Sequence, residues 1–82
     1  MTYKIVLVKI DQRIQEAGVV QSLLTKFGCN IKVRLGLHEV SSEACAQDGL
    51  IVLHVDGKME ELSTMIDSLN AIQYVQAKLI EM

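Results

Sequence analysis

A four-stranded antiparallel sheet with two helices on one face, an α+β fold of element order βαββαβ, is the architecture this 82-residue sequence predicts. Three observations carry the expectation. Apolar residues recur with period two in four segments and at three- and four-residue steps in two others, alternating in that order along the chain. The first and third strand segments are apolar on both faces, as strands covered on both sides are. Two right-handed crossovers around a hairpin give the strand order 4-1-3-2, which puts those two segments at the centre of the sheet.

The first strand is Tyr3 to Ile10, YKIVLVKI, with Ile5 and Leu7 as one apolar set and Val6 and Val8 as the other. Asp11 then offers an N-cap, and Ile14, Ala17, Val20, Leu24 and Phe27 keep helical spacing up to Gly28, where a helix C-cap belongs. A first helix from Gln12 to Phe27 follows. Ile31, Val33, Leu35 and Leu37 next alternate with Lys32, Arg34, Gly36 and His38, the pattern of a strand with an apolar inner face and a polar outer one. Val40 to Asp48, with two serines, Glu43 and Gln47, reads as a hairpin loop. GLIVLHV, Gly49 to Val55, is the third strand, its faces Ile51, Leu53, Val55 and Leu50, Val52, His54. Asp56 can cap a second helix whose inward stripe is Met59, Leu62, Met65, Ile66 and Leu69, and Gln73 to Glu81 completes the sheet with Val75, Ala77 and Leu79 toward the core. The whole chain, 1–82, is read as one domain.

This ferredoxin-like arrangement leaves one sheet face without helices. Val6, Val8, Leu50 and Val52 are expected down its centre, with polar residues of the edge strands beside them. Such a strip needs a partner, and a domain this small gains stability by association, so a homo-oligomer, dimer or tetramer, is expected.

Composition excludes several classes of function. Half the residues are hydrophobic and 22% charged, with no proline, which is an ordered globular composition. A formal net charge of −2 gives no basic face for nucleic acid, and no apolar run approaches the roughly 20 residues of a membrane helix. No signal-peptide pattern opens the chain and its two cysteines are expected as reduced thiols, which together suggest a cytoplasmic protein. The chain carries no phosphate-binding glycine loop, nucleophile elbow or HExxH, and Glu60 and Glu61 fit the solvated first turn of a helix, so it is not expected to be an enzyme.

The residues with chemistry to offer cluster in RLGLHEVSSEACAQDGLIVLHV, Arg34 to Val55. Alternation puts Arg34 and His38 on the helix-free face and Leu35 and Leu37 in the core. Glu39 has the opposite parity unless the strand bulges or ends there. Arg34, expected opposite His54, could bind a carboxylate effector or pair with an acid. His38 and His54 stand about four residues apart along the hairpin, roughly 13 Å, too far for one chain to chelate an ion with both. Across a subunit interface, His38, Glu39 and Cys45 could meet His54, and imidazole with thiolate suits zinc, nickel or copper. The alternative is that His38 ends a strand at the surface and His54 packs at a subunit contact. Cys29 is expected as a small buried hydrophobe and Cys45, in the loop, as the accessible thiol.

A free-standing βαββαβ chain carrying GCNIKVRLGLHE, then a cysteine, then GLIVLHV resembles the small ACT-like proteins described as regulators of the iron-only hydrogenase system. The resemblance runs nearly end to end, and RLGLHE, Arg34 to Glu39, is its most specific part. That family is similar in fold to the C-terminal domain of the nickel-responsive repressor, which binds nickel through three histidines and a cysteine at a subunit interface. Carried over, the repressor's two strand histidines fall at Gly36 and His38, its cysteine lies a few residues after Cys45, and its remaining histidine meets TKFGC, which has none. The ligand-loop glycine usual in amino-acid-binding ACT domains is absent from KIDQRIQ. The resemblance implies sensing or regulation; with the uncovered strip and the lack of a DNA-binding segment, an oligomeric regulator that binds a small effector at its interface is expected. Arg34, His38, Glu39, Val6, Val8, Leu50, Val52 and His54 are the expected effector or interface residues, and His38, Cys45 and His54 the expected ligands if nickel or zinc is bound.

Overall fold

The computed structural model describes residues 2–11, 13–40 and 45–82, with side chains placed over 2–11, 18–36 and 49–82. Its elements are β1 (Lys4–Ile10), α1 (Arg13–Lys26), β2 (Ile31–Val40), β3 (Cys45–Val55), α2 (Met59–Asn70) and β4 (Val75–Glu81). The strands form one sheet in the order β2-β3-β1-β4, every pairing antiparallel. That is the predicted order, and the two centrally placed strands are the two that are apolar on both faces.

The hairpin is tighter than its composition suggested. Cys45 to Asp48 belong to β3, and Val40 pairs with Cys45, so the strand extends into residues whose polarity resembled a loop. The first helix ends at Lys26 and is followed by a 3₁₀ turn, Gly28–Asn30. That turn turns Cys29 outward, so its thiol is exposed where burial was expected.

The core is a single cluster of Val6, Val8 and Ile10 from β1, Leu53 and Val55 from β3, Val75 and Ala77 from β4, Val20 and Leu24 from α1, and Leu62, Met65 and Leu69 from α2. Val6 and Val8 are 0% exposed on the helix side, which corrects their expected place on the open face. Both alternating sets of β1 are apolar, so its own pattern does not say which set the helices cover. The register decides: Val6 pairs with Leu53 and Val8 with Ile51, the β3 set that packs on the helices. In α2, Leu62, Met65 and Leu69 are buried as the period required, while Met59, in the first turn, is largely exposed.

The second correction lies in β2. Ile31 pairs with Val55 and packs against the core, but Val33 pairs with His54, so Lys32 is the extra residue of a β-bulge. A bulge reverses the parity of everything after it. Val33 and Leu35, expected inward, are consequently 55% and 53% exposed, and Arg34, expected outward, donates from Nη2 to Gln21 Oε1 on α1. Arg34 stands opposite Leu53, one position from the expected His54. A second register shift falls between His38 and Val40, at Glu39.

Two side chains fasten the ends of α2. Lys58, not Asp56, is its N-cap residue, and its backbone N–H donates to Glu61 Oε1 at 3.2 Å. Upstream, Asp56 Oδ1 accepts from the Gly57 N–H at 2.9 Å, and Gly57 takes φ +121°, where a Cβ would run into the Asn30 side chain. At the other end, Asn70 Oδ1 accepts from the Ala77 N–H at 2.8 Å and Asn70 Nδ2 donates to the Ala77 carbonyl at 3.1 Å.

Candidate functional site: the open sheet face and the cleft at its end

Because β2 shifts parity, the helix-free face is more apolar than the sequence pattern suggested. Registered across the sheet from β2 to β4, one row is Val33, His54, Ile5 and Ile80, and the next is Leu35, Val52, Leu7 and Lys78. Leu50 and Lys9 stand beside each other and Gln76 follows Lys9 in the third row. Leu50 and Val52 therefore occupy the face assigned to them, with Ile5 and Leu7 in the places expected for Val6 and Val8. The apolar ground lies over β2, β3 and β1, interrupted by His54 and Lys9, and Lys78 and Gln76 stand beside it on β4. Val33 and Leu35 add two large exposed side chains on an edge strand, a position where natural sheets usually carry charge.

His54 sits in this face, half-buried, with its ring centroid 5.5 Å from that of Tyr3 and the planes tilted by 51°. Tyr3 is fixed in turn, since its N–H donates to the Met82 carbonyl at 2.7 Å and its carbonyl accepts from the Met82 N–H at 2.9 Å. Beside the ring pair, where β1 and β2 begin and β3 ends, a cleft of about 260 Å³ is lined by Thr2, Tyr3, Lys4, Lys32, His54 and Asp56. Lys32 Nζ lies 3.4 Å from Asp56 Oδ2. The Gly57 N–H, then the Lys32 ammonium, and more weakly that of Lys4, hold the Asp56 carboxyl below its usual range. Asp56 is also tied to the turn before β2: its N–H donates to the Asn30 carbonyl at 2.8 Å and its carbonyl accepts from Asn30 Nδ2 at 3.1 Å.

The cleft residues were not singled out by sequence reasoning, except His54. Tyr3 left a weak signal, being the aromatic two positions before Ile5 on the same face. Lys32 left none, because its place depends on the bulge. A second concavity, about 370 Å³, runs between α1 and α2 along Val19, Leu23, Lys26 and Ile72 on the opposite side of the molecule.

Within one chain the residues singled out from the sequence are spread along the sheet. Arg34 is on the helix side, His54 on the open face, and His38 pairs with Gly49, five residues from His54 along β3. The side chains of His38, Glu39 and Cys45 lie outside those described, and with them the nickel or zinc expectation. Among the described residues no group of three or more His, Cys, Asp or Glu is placed to hold a metal ion. No helix among them is long and apolar enough to cross a membrane.

No family model matches the chain, and no curated protein matches it. Solved structures do. The uncharacterized protein TM1266 of Thermotoga maritima superposes with a TM-score of 0.83 at 19% identity, over 100% of this chain and 99% of that one. The ACT domain from GTP pyrophosphokinase of Chlorobium tepidum gives 0.64 at 16% identity, over 98% and 97%. CPII of Thiomonas intermedia K12, a nitrogen regulatory PII-like protein in a structure with ADP, AMP and bicarbonate bound, gives 0.56 at 11% identity, over 100% and 96%. At these identities the likeness is one of fold: the chain has the ferredoxin-like architecture shared by ACT and PII-like regulatory domains.

Proposed function

We propose that this protein is a small regulatory module that assembles with copies of itself through the helix-free sheet face and responds to a small-molecule effector. One observation carries the reading: an apolar surface spanning three strands, Val33, Leu35, Leu50, Val52, Leu7 and Ile5, with no helix over it. Exposed apolar ground of this extent marks an association surface. The fold supports the regulatory half, since an ACT domain of GTP pyrophosphokinase and a nucleotide-binding PII-like protein share it. The finer reading, carried by the resemblance of RLGLHE to the iron-only hydrogenase regulators, is that the regulated process is hydrogenase assembly or activity in the cytoplasm. No catalytic role and no direct contact with DNA belong to this function.

Light scattering at micromolar concentration tests assembly, and thermal melting against a panel of nucleotides, amino acids, small carboxylates, nickel and zinc tests the effector. An oligomer stabilised by a small organic compound supports the reading. A monomer that nothing stabilises overturns it, and stoichiometric nickel or zinc would turn it toward metal sensing.

A further inference from the structure

Resting on the effector-sensing reading and deepening it, we propose that the cleft formed by Tyr3, Lys4, Lys32, His54 and Asp56 binds a small organic anion. A carboxylate or phosphate group is held between the Lys4 and Lys32 ammonium groups, and the organic part lies against the Tyr3–His54 ring pair.

Size sets the first constraint. About 260 Å³ is below the roughly 300–1,000 Å³ of sites that take drug-sized ligands, so the occupant is a small metabolite or one end of a larger one. Charge sets the second. The chain carries a formal net charge of −2, yet two lysines line this cleft against one carboxylate. Glu81, opposite Lys4 in the β1–β4 register, is the nearest further acid in that ladder. Ring surface sets the third: Tyr3 and His54 offer an amphipathic wall held on one side by β3 and on the other by the backbone bonds from Tyr3 to Met82.

The lysines are placed by the fold rather than scattered. Lys4 begins a central strand, and Lys32 is the bulged residue of β2, a position that re-aims a side chain. Asp56 acts as an internal stand-in for the anion. It lies 3.4 Å from Lys32, and both members of that pair are more than half exposed, so the bond is weak and an incoming carboxylate or phosphate can displace it. Two opposite effects follow. Removing Lys32 weakens binding, and removing the charge of Asp56 strengthens it.

The test is a titration of the full chain with phenyl phosphate, with benzoate and with inorganic phosphate, at fixed ionic strength against chloride, read by backbone amide shifts. The expected result is a saturable response at Tyr3, Lys4, Lys32, His54 and Asp56. The two aromatic anions should bind more tightly than inorganic phosphate, and whichever of them binds more tightly identifies the anionic group. Lys32→Ala should weaken binding about tenfold, the worth of one charge-assisted hydrogen bond. Asp56→Asn should tighten it. Linear shifts spread over Lys9, Lys58 and Lys78, or affinities unmoved by both substitutions, overturn the site. If the protein is an oligomer stabilised by a compound whose shifts fall elsewhere, the cleft fails while the regulatory reading stands; a monomer that no compound stabilises overturns both.

Discussion

Asn70 does with one side chain what another strand would do along an edge. β4 has no strand beyond it, and the Asn70 amide supplies both an acceptor for the Ala77 N–H and a donor for its carbonyl, in the geometry of a ladder pair. Because Ala77 is itself in the core, the clamp also fixes the C-terminal end of α2 against the sheet. Asn70→Ala should cost about 1–3 kcal/mol in urea unfolding, since it leaves two part-buried backbone groups without those partners, while Asn70→Asp should lose the donor alone and cost less than that. A cost equal to that of an ordinary surface substitution would show the clamp to be idle. Asp56 gives a residue-scale prediction with a pH sign. Its folded carboxyl sits below its usual 3.8, held by the Gly57 N–H first and the Lys32 ammonium second. The ionised form is thus favoured in the folded state, so its contribution is present above pH 3.8 and is lost as pH falls below it. The stability difference between the protein and Asp56→Asn should be constant near neutrality and shrink as acid unfolding curves are taken below that pH. A difference that grows in acid would reverse the assignment.

At the scale of elements, β2 shows how much of such a molecule is written in alternation and where alternation stops informing. The helices, the four strands and the order of the sheet were all legible, because period and doubly apolar runs depend on the residues of each segment alone. Which way a strand faces depends also on the register with its neighbour. For β1 the two sets, Ile5 with Leu7 and Val6 with Val8, are chemically equivalent, so only pairing with β3 separates them. For β2 a single bulge at Lys32 exchanges the faces of Arg34 and Leu35, and no residue type announces it. The bulge also explains why an apolar set lies outward on an edge strand: the strand serves the core with Ile31 and the open face with Val33 and Leu35. Leu35→Lys should therefore lower the association constant while leaving the unfolding free energy of the separated chain within about 0.5 kcal/mol, as for other exposed positions. Arg34→Ala, which removes an exposed hydrogen bond to Gln21 on the helix side, should leave association unchanged. If Arg34→Ala alone dissociates the oligomer, the parity of β2 is wrong.

For the whole molecule, the two faces of the sheet have divided their tasks. One holds the buried cluster under both helices, and the other carries nearly as regular an apolar surface with no helix of the described residues upon it. A chain of 82 residues has little core to spare, and the proposed association over an uncovered face of this kind would add to its stability. The cleft at the end of that face links the two properties, since His54 belongs both to the apolar row of Val33 and Ile5 and to the lining beside Lys32. Val52 lies at the middle of the patch, between Leu35 and Leu7 in register, and Glu60 lies on the exposed first turn of α2. Val52→Asp should then dissociate the assembly, because a carboxylate enclosed between two sheet faces must be desolvated or take up a proton, at a cost of several kcal/mol. Glu60→Ala, far from that face, should elute as the unmodified protein does. Matched elution volumes for the two variants, both folded by circular dichroism, would mean that the sheet face is not where the copies meet, and the groove along Val19, Leu23 and Ile72 between the helices would become the surface to test next.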